Sequence, residues 1–81
     1  MERNVTVPSY GEDISEVEIS VLFVKEGDTV QEDTVVAEVL ADKAAMELRA
    51  DCVGTVTKVH QVEGSIVKIG ETVVTIESAD N

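Results

Sequence analysis

The chain has 81 residues, enough for one domain and not two, and a chain this short buries only about 60–65% of its unfolded surface. One tyrosine (Tyr10) and one phenylalanine (Phe23) provide no stacking platform for nucleic acid, and a net charge of −11 argues against phosphate backbones and anionic membranes as partners. The charge is uneven, with ten acids and two bases in residues 1–41 against seven and four in residues 42–81, and it favours partners with basic surfaces.

Val, Ile and Thr supply 28 of the 81 residues, and their branched side chains suit a pleated surface. Val5 and Val7 flank Thr6, which predicts a first strand over 3–7 that stops at Pro8. Pro8 to Ser15 reads as a loop, with Gly11, Glu12 and Asp13 near its centre. Val17, Ile19, Val21 and Phe23 occupy alternate positions and predict a strand over 17–24. Glu26-Gly27-Asp28 is a turn, followed by a short strand near 29–30. Val35, Ala37 and Val39 predict a strand over 35–41, and Asp42-Lys43 a reversal. Residues 43–50 contain good helix formers but are too few to stand as a helix, so 45–50 is read as a strand. Gly54 is read as a turn before a strand over 55–61. Glu63-Gly64 is another turn, with a short strand near 66–67 and a last strand over 72–77. Ser78 to Asn81 reads as the start of a linker.

The chain repeats itself at an offset of 37. Glu26-Gly27 meets Glu63-Gly64, Val30 meets Val67, Val36 meets Val73, and Ile19 meets Val56. Two such halves, roughly 5–42 and 43–79, with no helix, predict one all-β domain over 1–81: a flattened barrel or sandwich of two small, about four-stranded antiparallel sheets related by a pseudo-twofold axis. The first half ends at Ala41-Asp42-Lys43-Ala44, where the second ends at the terminus. Lys43 is therefore expected on an exposed hairpin, on the opposite side of the domain from Glu63-Gly64.

Cys52 is the only cysteine, which excludes an internal disulfide and suggests a reducing compartment. No signal peptide and no run near the ~20 apolar residues of a membrane span is visible. His60 is the only histidine, so neither a zinc site nor a Cys–His nucleophile pair has support, and no metal ligand set or catalytic residue is assigned. Lys43 stands among Ala41, Asp42, Ala44 and Ala45, small or short residues that leave it unshielded. An exposed turn lysine has an ordinary pKa and is a poor nucleophile, so it suits modification by another enzyme better than catalysis. Spacing alone reads rather as a solubilising turn lysine.

Val39-Leu40-Ala41-Asp42-Lys43-Ala44-Ala45-Met46-Glu47-Leu48, followed by Gly54-Thr55-Val56, resembles the attachment site of lipoyl domains: an apolar strand, Asp-Lys-Ala, a small residue, an apolar strand and a glycine about eleven residues after the lysine. Val24 to Val30 resembles the turn before that lysine, and Val5-Thr6-Val7-Pro8 with Gly11 the first strand and loop, so the resemblance covers residues 3–77. Two departures stand out. Leu48-Arg49-Ala50-Asp51 lacks the proline usual there, and Ala41 replaces a glycine or threonine. Biotin carriers place methionines on both sides of their hairpin lysine, whereas Asp42 and Ala44 flank Lys43 here; Met46 reads as a gap-filling core residue.

The resemblance implies a lipoyl carrier rather than an enzyme, with lipoate attached to Lys43 and Asp42 and Ala44 recognised on the hairpin. Gly27, Gly54 and Gly64 would be structural turns. Met46-Glu47 looks most like the dihydrolipoamide acyltransferase component of a pyruvate dehydrogenase complex. Implied partners are a lipoate ligase or lipoyl transferase, a thiamine-dependent 2-oxo acid dehydrogenase, the acyltransferase core and dihydrolipoamide dehydrogenase. The isolated domain would be a monomer, cytoplasmic in a bacterium or in the matrix of a mitochondrion. In the family the loop after the first strand lies near the lysine hairpin, which makes Glu12 and Asp13 candidates for partner recognition. A biotin carrier domain of a carboxylase and an unmodified lipoyl-like interaction module are the alternatives.

Overall fold

A strand that alternates β-branched and polar residues has one apolar face, which is stable only when it meets another. The computed structural model describes residues 1–42 and 44–78, and there the chain forms strands β1 Glu2–Thr6, β2 Glu16–Leu22, β3 Thr29–Val30, β4 Val35–Ala41, β5 Ala44–Arg49, β6 Gly54–Val59, β7 Ile66–Lys68 and β8 Thr72–Ser78. They make two four-stranded antiparallel sheets, ordered β1-β8-β6-β3 and β5-β4-β2-β7. The all-β sandwich read from the sequence is therefore the fold. The helix-prone stretch after the hairpin is the edge strand β5, because Leu48 is buried and Met46 packs on the core only if the segment alternates.

The sheets do not coincide with the halves. An offset of 37 carries β2, β3 and β4 onto β6, β7 and β8, yet β3 pairs with β6 and β7 with β2, so each half lends its short strand to the other's sheet. The correspondence extends to the irregularities. β2 bulges against β4 between Ile19 and Val21, and β6 bulges against β8 between Val56 and Lys58. The turns obey it too: the Asp28 N–H donates to the Lys25 carbonyl at 3.0 Å, and the Ser65 N–H to the Val62 carbonyl at 3.1 Å. These turns end β2 at Leu22 and β6 at Val59, earlier than the alternation alone suggests.

Ile19, Ile76 and eight valines are the largest fully buried side chains, and they close one core between the sheets. Each contributes about 1.5–3 kcal/mol on full burial, so a core with almost no aromatic volume holds the sandwich by close packing of branched side chains. Gly64 follows Glu63, whose Oε2 accepts from the Leu22 N–H at 2.9 Å at the end of β2 remote from the hairpin. The Gly64 N–H donates to the carbonyl of Ile19 at 2.7 Å, and Ile19 pairs with Val39, two residues before the end of β4. The turn therefore flanks β2 from Ile19 to Leu22, and β7 then pairs with β2 from Glu18 back to Glu16.

Candidate functional site

β4 and β5 are consecutive antiparallel strands in register from Ala37↔Leu48 to Ala41↔Ala44, with a bulge between Val35 and Ala37, which leaves two residues, Asp42 and Lys43, to join them. Two-residue hairpins of this kind take a left-handed first residue. Asp42 has φ 56°, a conformation that aspartate tolerates better than most side chains. Ala41 is buried and anchors the end of β4 in the core, whereas Asp42, Ala44 and Ala45 are exposed. Lys43 itself lies outside the described residues. Its sequence neighbours are short, exposed side chains that build no wall around the tip.

The loop after β1 reaches this end of the molecule. Asp13, Ile14, Ser15 and Glu16 line an open cleft together with Asp42. Glu12 and Asp13 are the central residues of a turn closed by the Ile14 N–H on the Gly11 carbonyl at 3.2 Å. The structure brings Asp13 to the hairpin and leaves Glu12 outside the cleft, exposed on the same turn. Glu16 joins the cleft, although the sequence reading did not single it out. Its signal was present: it is the outward position before the buried Val17. Three carboxylates thus surround the hairpin side of the cleft, with Lys68 paired opposite Glu16.

Below the tip the hairpin is held on both strands. Met46 pairs with Val39 and is half-buried against the core, in line with its reading as a packing residue. Arg49 donates from Nη1 to the Asp33 carbonyl at 2.9 Å and pairs through Nη2 with Glu47. These contacts fix the end of β5 where a proline is usual. Gly27 and Gly64 have φ of 96° and 90° and are the turn residues expected. Gly54 differs from that expectation: it is the buried first residue of β6, paired with Val30 and Ser78, so close approach of β8 rather than a turn requires glycine there.

The remaining reactive side chains lie elsewhere. His60 meets the Thr75 hydroxyl at 2.7 Å through Nε2; that hydroxyl donates to Asn4 Oδ1 at 2.9 Å, so the imidazole N–H is the donor in the first contact. Cys52 is buried, and desolvation with the nearby Asp51 carboxylate pushes its thiol pKa up, away from nucleophilic use. Among the described residues no three His, Cys, Asp or Glu side chains gather as a metal site.

The fold and sequence have known counterparts. The acetyltransferase component of the pyruvate dehydrogenase complex from Staphylococcus aureus is 43% identical over 74 residues, which cover 91% of this chain and 17% of that protein. The corresponding component from Staphylococcus epidermidis is 42% identical over the same shares. The chain thus spans about a sixth of the length of these relatives. The lipoyl domain of the 2-oxoglutarate dehydrogenase complex from Azotobacter vinelandii superposes with a TM-score of 0.76 over 93% of this chain and 95% of that one, at 24% identity, so the two share the lipoyl-domain fold. Residues 3–76 match the biotin/lipoyl family model, described as that of biotin-requiring enzymes, and the chain belongs to this biotinyl- and lipoyl-attachment family.

Proposed function

We propose that the chain is a lipoyl carrier domain, a single unit over residues 1–81 with the lipoyl group amide-linked to Lys43. The observation that carries this reading is the hairpin: Ala41 pairs with Ala44, Asp42 takes the left-handed turn, and the flanking side chains are short and exposed. These residues fit a long flexible group, because Asp42 and Ala44 on either side of Lys43 are short and exposed. Biotin attachment also lies within the family, but Asp42 and Ala44 stand where biotin carriers have methionines, which favours lipoate.

Attachment removes one positive charge and takes the formal total from −11 to −12. The bound lipoate would supply a dithiolane able to carry an acyl group and two electrons. The chain's own residues hold the attachment point on a two-residue link whose ends are fixed by β4 and β5, so the arm swings from a defined base. Tethering makes each encounter with an active site effectively intramolecular. The parent would be the acyltransferase of a pyruvate dehydrogenase complex, as in the staphylococcal relatives. Its partners would be a lipoate ligase or lipoyl transferase, a thiamine-dependent dehydrogenase, the acyltransferase core and dihydrolipoamide dehydrogenase, in the bacterial cytoplasm.

Intact mass after expression with lipoate and its ligase, and separately with biotin and its ligase, tests the reading. A lipoyl adduct and no biotinyl adduct is expected. A biotinyl adduct alone would make the chain a biotin carrier, and neither adduct would leave an unmodified interaction module.

A further inference from the structure

The internal symmetry supplies a control for each surface of the molecule, because every outward row of one sheet has an equivalent in the other. Leu40 pairs with Ala45 on one side and Glu18 on the other, and Glu18 pairs with Ile66. These four residues form one row across the outer face of the hairpin-bearing sheet. The equivalent row of the other sheet is Glu2, Glu77, Thr55 and Thr29, in the same pairing order. The same backbone thus presents Leu and Ile on one face where it presents Glu and Thr on the other.

Leu40 is 39% exposed and Ile66 is 56% exposed, and neither belongs to the core cluster or packs against it. Leu40 in this row stands three residues before Lys43 in the chain, and Glu18 within the row and Glu16 and Glu38 beside it are carboxylates. A second copy of the chain is a poor occupant, since each copy carries a net charge of −11. The geometry points to the Leu40–Glu18–Ile66 row as the docking face for the dehydrogenase that loads the arm, a protein surface with an apolar centre and a basic rim beside its active-site mouth. This rests on the lipoyl-carrier reading. The apolar pair supplies the desolvated centre that holds the complex, and the surrounding carboxylates supply steering and register.

The test places the residues of the opposite sheet on this one: Leu40→Glu with Ile66→Thr, beside the single Ile66→Thr, with Glu77→Gln on the far face as control. Both positions are exposed, and the amide spectrum of each variant reports whether the sandwich is intact. Intact mass measures lipoate attachment, reductive acylation by the cognate thiamine-dependent dehydrogenase measures loading, and titration of the isotope-labelled lipoylated domain with that dehydrogenase measures contact directly. The expected result is attachment at the parental rate, a loss of tenfold or more in kcat/KM for reductive acylation in the double variant, a smaller loss in Ile66→Thr, and none in Glu77→Gln. In the parent, amide signals of the row should broaden on titration while those of the far row persist. Parental loading in the double variant, or an equal loss in ligase-catalysed attachment, would overturn the assignment. A parent chain that takes no lipoate would instead remove the carrier reading, and the docking face with it.

Discussion

A side chain on Gly54 would place its first carbon 2.2 Å from the carbonyl oxygen of Glu77 and 2.8 Å from the Ile76 side chain. The contact is with backbone across the β6–β8 ladder, so no rotamer change relieves it. Gly54→Ala is therefore expected to destabilise the domain by at least about 1–3 kcal/mol, the usual cost of overpacking, by forcing β6 from β8. Urea denaturation checks it: an unchanged midpoint would mean that the strands separate at no cost.

Lys43→Arg is expected to abolish lipoylation while changing stability by no more than about 0.5 kcal/mol, as for an exposed turn substitution. The other lysines stand elsewhere: Lys25 in the turn after β2, Lys58 on β6 and Lys68 on β7. Intact mass and peptide mapping decide the point, and lipoate on one of those three in the variant would break the assignment.

Strand existence was legible in the sequence because Val17 to Val21 and Val35 to Val39 alternate, and the repeat was legible because matching turns carry Glu-Gly. What lay beyond reach depends on register. Alternation says that Leu40 and Ile66 face outward, but only the pairing of both rows with Glu18 puts them side by side. The exchange of β3 and β7 between sheets was equally hidden, since strands of two and three residues carry no periodicity. Gly54 looked like a turn because glycine is most often used for its backbone freedom; here the reason is the space occupied by Glu77. The attachment site depended on the motif around Lys43, a residue whose local chemistry alone does not separate it from any exposed turn lysine.

Asp42→Met with Ala44→Met is expected to make Lys43 a better biotin acceptor and a poorer lipoate acceptor. Asp42 sits at φ 56°, where a side chain without aspartate's local hydrogen bonding costs about 1–2 kcal/mol, so part of any loss could arise from a distorted turn. Asp42→Asn with Ala44→Met keeps a residue suited to that conformation and isolates the second flank. Parallel ligase assays read by mass separate the two effects. Parental lipoylation with no biotin uptake in the double-Met variant would show that the flanks do not carry the choice.

The loop after β1 gives the last prediction, which concerns rate rather than affinity. Asp13 shares a cleft with Asp42 and Glu16, whereas Glu12 projects from the same turn outside it. If a basic active-site mouth approaches Lys43 from this side, carboxylates on its path raise the frequency of productive encounter more than they prolong the complex. Glu12→Gln with Asp13→Asn is therefore expected to slow reductive acylation by the cognate dehydrogenase by several-fold at low ionic strength. Asp13→Asn alone should account for most of the loss. The difference from the parent should shrink as salt is added, because exposed charges are screened beyond about 10 Å at 0.1 M. Lipoylation of Lys43 should stay nearly unchanged, since Asp42 and Ala44 remain for the ligase to read. A salt series on the lipoylated variants makes the decision: equal rates for variant and parent at low salt would remove the loop as an electrostatic guide, and a loss that persists at high salt would assign it a contact role instead.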